Sequence, residues 1–362
     1  MKHGQHLRST APQPASASFA SRLVDWQHQH GRHHLPWQQN RDPYRVWLSE
    51  IMLQQTQVST VLGYFERFLD RFPTVHALAQ AHQDEVLGLW SGLGYYSRAR
   101  NLHRCAQQVV TEFNGVFPRD LVSLQSLPGI GPSTAAAIAS LCFEQRAAIL
   151  DGNVKRVLSR FLGFAKDLSV SMNEKELWQS AQASLPDEPH NMPSYTQGLM
   201  DLGATLCTHR RPDCQRCPVN TDCVAWAQQR PEHYPVKTRK LKRQAQSWWL
   251  LCAVTTQGEV WLQQRPSKGV WAGLYTQALF DSQEALVDAV PAIYRAQLEF
   301  DAAFVHVLTH KDLHLHAVHW KLDKRLSLGN GAWFDANQWP TMGLPAPVRR
   351  LLTGPALDAA SE

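Results

Sequence analysis

Between Phe19 and about Ala227, apolar residues recur three and four positions apart, with polar residues filling the gaps. That period predicts helices almost throughout. The clearest stretches are residues 22–30, 44–55, 57–71, 84–89, 97–113 and 153–164. Turn signals divide them at Phe72-Pro73, Gly92-Leu93-Gly94, Pro128-Gly129 and Asp151-Gly152. No strand pattern stands out in this half. Past residue 247 the period drops to two. Residues 248–256 and 259–265, joined by Gln257-Gly258, read as a hairpin, and 304–308 and 313–322 as further strands. A short helix is predicted over 284–290, stopped by Pro291. The expected fold is multidomain, an all-α part followed by an α+β part.

The seam between the two is basic. Residues 230–243 hold six Lys or Arg against one acid, Glu232, and two prolines. This predicts a linker over 230–246. Residues 1–18 are rich in Ser, Ala and Pro and are expected to be a disordered tail. The domains follow as 19–229 and 247–355.

Composition adds little beyond this. A chain of 362 residues with 44% hydrophobic content can bury two cores, and a net charge of +5 suits a polyanionic partner. The N-terminus lacks the apolar core of a signal peptide, and no run has the apolar length of a membrane span. Secretion, and with it disulfide bonding, is therefore not expected. Cys105, Cys142 and Cys252 lie in apolar contexts and read as small buried hydrophobes.

The other four cysteines are different. Cys207, Cys214, Cys217 and Cys223 follow a C-x6-C-x2-C-x5-C spacing. Four soft thiolates in so short a loop select zinc or an iron–sulfur cluster, and spacing alone leaves the two open. Arg210 and Arg211 lie between the first two cysteines, as in a loop that faces phosphates.

Three further features carry possible chemistry. Leu127-Pro-Gly-Ile-Gly-Pro-Ser-Thr134 joins two helical segments, with Pro132 at a helix start. Gly129 and Gly131 allow close backbone approach, and amide groups at the helix start attract an anion such as a DNA phosphate. A plain corner between helices is the alternative. Asp151 precedes a helix, where a carboxylate caps the backbone, and it can hold a catalytic role as well. Glu50 shares a helix face with Trp47 and Gln54 and has apolar neighbours Leu48, Ile51, Met52 and Leu53. Burial would make it a proton donor near neutral pH. Pairing with a basic residue of another helix remains equally open.

Leu35-Pro-Trp37, Trp47-Leu-Ser-Glu-Ile-Met-Leu-Gln-Gln-Thr-Gln57, Gly92-Leu-Gly-Tyr-Tyr-Ser-Arg-Ala-Arg-Asn101, the glycine hairpin, Leu150-Asp-Gly-Asn153 and the cysteine loop occur in that order. Together they resemble the MutY-type adenine DNA glycosylases of the endonuclease III superfamily, most strongly over residues 19–230. The resemblance implies a helix-hairpin-helix fold over 120–143 and one 4Fe–4S cluster on the four cysteines, with a structural and DNA-binding role. It implies excision of adenine opposite 8-oxoguanine or guanine in double-stranded DNA. Glu50 would protonate the flipped adenine, chiefly at N7, Asp151 would stabilise the cationic sugar, and Asn153 would hold Asp151 and the nucleotide. Gln54, Gln55 and Tyr95 match positions that press into the base stack. Gly129, Gly131 and Ser133 match the DNA-binding hairpin, and Trp37 and Gln197 the adenine pocket. Bifunctional members carry a lysine nucleophile where this chain has Ser133, so hydrolysis without efficient strand cleavage is expected.

The C-terminal part resembles the Nudix-like domain of the same family through Gln264-Arg-Pro-Ser-Lys-Gly-Val-Trp-Ala-Gly-Leu-Tyr275. The acidic REXXEE core of a Nudix hydrolase is absent, so recognition rather than nucleotide hydrolysis is expected. Thr309 and His310 align with the 8-oxoguanine recognition loop. Leu308 departs from the aromatic usual there, which bears on how strongly 8-oxoguanine is preferred. His306, His310, His314, His316 and His319 read as alternating strand positions rather than a metal site. A cytoplasmic monomer is expected, nucleoid-associated in a bacterium, with no membrane partner. No protein partner is legible.

Overall fold

The computed structural model describes residues 18–239 and 242–354. Residues 1–17 of the expected tail, Lys240 and Leu241 of the expected linker, and Pro355 of the expected last domain lie outside the described residues.

The helical half runs α1 (Phe19–His30), α2 (Pro43–Leu53), α3 (Val58–Arg71), α4 (Val75–Gln80), α5 (Gln83–Leu89), α6 (Ser97–Phe113), α7 (Leu121–Ser126), α8 (Pro132–Phe143), α9 (Gly152–Leu162), α10 (Ser171–Ala183), α11 (Met192–Thr205) and α12 (Val224–Ala227). Then follow β1 (Gln244–Thr255), β2 (Val260–Gln264), β3 (Tyr275–Thr276), β4 (Ala278–Phe280), α13 (Gln283–Ala289), β5 (Glu299–Phe300), β6 (Phe304–Val307), β7 (Lys311–Leu322), β8 (Ala332–Phe334) and α14 (Ala346–Leu352). Two expectations need correction. The strand β1 begins inside the expected linker, at Gln244. The helix expected over 44–55 ends at Leu53, because Gln55 takes a left-handed φ of 59°.

Packing divides the chain into two units, Met1–Gln38 with Ala136–Thr238 and Gln39–Ala135 with Arg239–Glu362. The helical region therefore contributes to both. In the first unit α11 packs on α1 and α9, and α9 also meets α10 and α12. The helix α9 is amphipathic, burying Val154, Val157 and Leu158. Asp151 caps its start, and Gly163 ends it at a left-handed φ of 64°.

In the second unit α6 is the central helix. Ala99, Leu102, Ala106 and Val109 bury one stripe of it against α4 and α5, the three-and-four spacing of an amphipathic helix. The β part is one mixed sheet of order β3-β2-β1-β7-β5, with β4 on β1, β6 on β7 and β8 on β2. The strands β1 and β7 run parallel in register from Gln244↔Lys311 to Thr255↔Leu322, and the other pairs are antiparallel. Leu251, Ala253, Val318, Trp320 and Leu322 form a core under Leu286 of α13.

Within this unit the segment before α14 is held against α5 and the start of α6. The Leu344 carbonyl accepts from Ser91 Oγ (2.9 Å) and Tyr96 Oη (2.8 Å), and Arg100 donates to the Ala272 carbonyl at 2.7 Å. A Cβ on Gly88 would lie 2.0 Å from the Thr341 carbonyl oxygen. Gly88→Ala is therefore expected to push the segment off α5 and cost about 1–3 kcal/mol, the range for overpacking. Thermal unfolding of the full chain checks this. An unchanged midpoint would mean that the contact contributes nothing.

Candidate active site

The half-buried Glu50 lies on α2 among buried residues, including Trp47 and Ile51. Asp42 caps this helix by accepting the Arg45 N–H at 3.0 Å, and Pro43 occupies its first position. The other end is fixed by a residue that sequence reasoning missed. Arg98 Nη1 donates to the carbonyls of Ile51 (2.9 Å), Met52 (2.8 Å) and Gln54 (2.6 Å). Its Nη2 donates to the carbonyls of Leu93 (3.1 Å) and Gly94 (3.2 Å) and to Thr56 Oγ1 (3.1 Å). One guanidinium thus satisfies the open carbonyls at the end of α2 and ties that end to the loop carrying Tyr95. Burial pulls its pKa down to about 10, so it stays charged at neutral pH. Arg98→Lys keeps the charge and loses the planar fork. We expect it to cost about 3 kcal/mol in denaturant unfolding, together with weaker duplex binding. Wild-type values for both would remove Arg98 from this role.

The residues expected to touch DNA meet on this surface. Gln54, Gln55, Tyr95 and Gly129 line a cavity of about 230 Å³ with Ile51 and Asn101. Tyr95 has a left-handed φ of 48° and is 42% exposed. In the hairpin, the Ile130 N–H donates to the Leu127 carbonyl at 3.1 Å. Gly129 has φ 80°, and a Cβ there would fall 2.8 Å from Asn101 Cβ. Gly131 is exposed, and the half-buried Ser133 sits in the first turn of α8. The Tyr95 hydroxyl lies 2.5 Å from Thr309 Oγ1. Thr309 and His310 are both exposed at the tip of the β6–β7 hairpin, which the Leu308 N–H closes by donating to the Lys311 carbonyl at 2.8 Å. Two expected site residues more than 200 positions apart are therefore in direct contact.

In the first unit, Asp151 Oδ1 accepts the Val154 N–H at 2.7 Å, so the capping reading holds. Desolvation raises its carboxyl pKa, opposed by backbone bonds from Val154 and Asn153 and by the charges of Arg156 and Lys155. Asn153 Oδ1 accepts from Arg156 Nη2 at 2.9 Å, and Arg156 also donates to the carbonyls of Gly203 (2.6 Å) and Cys207 (2.7 Å). One turn on, Arg160 donates to Cys207 Sγ (3.3 Å) and to the carbonyls of Thr208 (2.6 Å), His209 (3.1 Å) and Pro231 (2.7 Å). The helix α9 thus carries Asp151 at its start and holds the cysteine loop from its later turns. Arg156 and Arg160, four apart on a helix otherwise buried by its apolar stripe, were the unread signal.

Cys207, Cys214, Cys217 and Cys223 line one cavity. Burial, with a smaller push from the Cys207, Cys223 and Cys214 sulfurs and against a backbone bond from Val219, brings the Cys217 thiol up to about 12. The four thiols around this cavity, with Arg160 donating an N–H to Cys207 Sγ, suit an iron–sulfur cluster, whose cationic iron would hold them as thiolates.

Gln197, on α11, donates to Asp201 Oδ1 at 3.0 Å. The fully buried Asp201 also accepts from Arg32 Nε (2.8 Å) and the Arg32 N–H (3.0 Å), so the Gln197 amide is oriented by an ion pair. Trp37 is buried in a short 3-10 turn, Pro36–Gln38. Of the histidines, His316 stacks on Trp249 with centroids 4.3 Å apart, and His319 lies 2.8 Å from the Asp301 carboxylate. No helix among the described residues is long and apolar enough to cross a membrane.

Comparison with known proteins follows the same outline. Residues 48–183 match the HhH-GPD superfamily of base excision DNA repair proteins, and residues 250–354 match the NUDIX domain. An adenine DNA glycosylase of Buchnera aphidicola subsp. Schizaphis graminum is 35% identical over 345 residues, 92% of this chain and 97% of the relative. The human adenine DNA glycosylase is 43% identical over 217 residues, 58% of this chain and 39% of that protein. Among solved structures, a thermostable thymine-DNA glycosylase superposes with a TM-score of 0.52 at 28% identity, covering 58% of this chain and 95% of that one.

Proposed function

The chain belongs to the adenine DNA glycosylase family, and on that premise we propose that it excises adenine mispaired with 8-oxoguanine or guanine. The observation that carries the choice of mispair is the 2.5 Å contact of Tyr95 with Thr309. A residue matching a stack-inserting position then works beside one matching the 8-oxoguanine loop.

The reaction begins with extrusion of the adenine, helped by Gln54, Gln55 and Tyr95. Gly129, Gly131 and Ser133 hold a backbone phosphate, while Trp37 and Gln197 line the pocket for the flipped base. Glu50 gives its proton to adenine N7, which makes the base a viable leaving group. The bond between C1′ and N9 breaks, and the electron pair leaves with the adenine. The Asp151 carboxylate, steadied by Asn153, stabilises the cationic sugar. Water adds to C1′ and loses a proton, leaving an abasic site. Thr309 and His310 read the opposite base.

The four cysteines would hold a 4Fe–4S cluster, which supplies structure and presents Arg210 and Arg211 to phosphates. The helical part over 19–229 would carry the chemistry and the Nudix-like part over 247–355 the recognition, with 230–246 between them. The enzyme would act as a monomer on cytoplasmic or nucleoid DNA.

Ser133 supports a monofunctional reaction, because a hydroxyl cannot form an imine with the sugar. A single-turnover reaction on a duplex with one adenine opposite 8-oxoguanine, read with and without alkali, tests this. Product visible only after alkali is expected. Strand breaks without alkali would overturn it.

A further inference from the structure

The loop between α5 and α6 meets the C-terminal part at two places, its base and its tip. At the base, Ser91 Oγ accepts from Arg349 Nε at 3.1 Å and donates to the Leu344 carbonyl at 2.9 Å. Tyr96 Oη donates to the same carbonyl at 2.8 Å. The other two nitrogens of the half-buried Arg349 donate to the carbonyls of Pro340 (3.0 Å) and Met342 (3.1 Å). At the tip is the 2.5 Å contact of Tyr95 with Thr309. The helix α14 joins the two places. Arg349 faces Ser91, and the next residue, Arg350, lies 4.5 Å over the ring of Phe304, where β6 starts toward Thr309. The contacts close a ring through Ser91, α14, β6, Thr309 and Tyr95.

The tip contact alone is weak. Tyr95 and Thr309 are both exposed, and water competes for exposed hydroxyls, so a hydrogen bond there adds little unless both backbones are already fixed. Tyr95 also keeps a left-handed φ of 48°, a conformation that persists in a residue with a Cβ when its surroundings impose it. From the helical side, Tyr64 Oη donates to the Ser91 carbonyl at 2.7 Å and Trp90 Nε1 to the Gly94 carbonyl at 3.1 Å. From the C-terminal side, the Ser91 hydroxyl relays between Arg349 and the Leu344 carbonyl. We propose that Ser91, held by Arg349, is a positioning residue. It sets the loop that carries Tyr95 in register with the hairpin that carries Thr309, and so controls the response to the base opposite adenine. This rests on the reading that Tyr95 enters the base stack and that Thr309 reads 8-oxoguanine.

The test is a double-mutant cycle in the cluster-loaded full chain. Single-turnover excision is measured on two duplexes, adenine opposite 8-oxoguanine and adenine opposite guanine. Ser91→Ala should lower the rate opposite 8-oxoguanine about fivefold, the weight of one net hydrogen bond, and leave the rate opposite guanine within about twofold of wild type. Thr309→Ala should also lower the rate opposite 8-oxoguanine. The double variant should be no slower there than Thr309→Ala alone, because Ser91 acts through Thr309. Wild-type rates for Ser91→Ala would overturn the proposal. So would an equal fall on both duplexes, which a plain loss of stability produces, or a double variant slowed by the product of the two single effects. In each of those outcomes Thr309→Ala is still slow opposite 8-oxoguanine, and the reading of the hairpin stands. A wild-type rate for Thr309→Ala would instead remove Thr309 from reading the opposite base, and this proposal with it, while leaving adenine excision itself intact.

Discussion

Glu50→Gln is expected to abolish adenine excision while leaving duplex binding close to wild type. Glutamine keeps the size and polarity of the side chain, so α2 and its apolar neighbours Trp47 and Ile51 stay in place. What is lost is the proton that adenine needs in order to leave. General acid catalysis contributes about 10²–10⁴ in rate, and the single-turnover rate should fall by at least that factor. On the proposed reading binding would rest on other groups, the hairpin, Gln54, Gln55 and Tyr95, and a gel-shift titration should show little change. Excision at a normal rate would remove Glu50 from the acid role. Equal loss of binding and rate would make it a structural residue.

Asp151→Asn should separate stability from activity in the opposite sense. Asparagine caps a helix about as well as aspartate, so the Val154 bond that starts α9 is kept. Desolvation holds the Asp151 carboxyl above the ordinary carboxylate range. A group raised in this way favours folding below its unfolded pKa, and that contribution is lost as pH rises through the folded value. Near neutral pH the ionised carboxylate therefore works against the fold, and Asn removes it. The variant should unfold at an equal or higher temperature at pH 7, with the advantage shrinking in acid. Excision should fall by about 10²–10³, the scale of losing one transition-state charge partner. In the wild type, the rate should begin to drop on acidification at a pH above the ~3.9 of a free aspartate. A strongly destabilised Asn variant, or one with normal excision, would contradict this assignment.

How much of this was legible in the sequence depended on the kind of signal. The helix α6 spans residues 97–113, as its apolar stripe predicts, and α13, β2, β6 and β7 lie close to where the period puts them, whereas β1 starts earlier than expected, at Gln244. The helix α4 escaped because it is 6 residues long and is started by a side-chain cap, from Thr74, rather than by a long stripe. The helix α11 escaped for another reason. It buries residues nearly all round, including Asp201, so no single face stands out. The cysteine spacing was readable because the four cysteines lie close along the chain, and they line one cavity. The arginines that hold the site were not. Arg98, Arg156 and Arg160 act through carbonyl groups, and a carbonyl looks the same at every position of a sequence. The contact of Tyr95 with Thr309 was unreadable for a related reason, since nothing local in either segment names the other.

The central claim is that this chain removes adenine from mispairs by the Glu50 and Asp151 chemistry. The most direct test is single-turnover excision by the cluster-loaded wild type on duplexes that differ only in the base opposite one adenine. Adenine should be released opposite 8-oxoguanine and opposite guanine, and should be retained opposite thymine. Equal release opposite thymine, or no release from either mispair, would contradict the account.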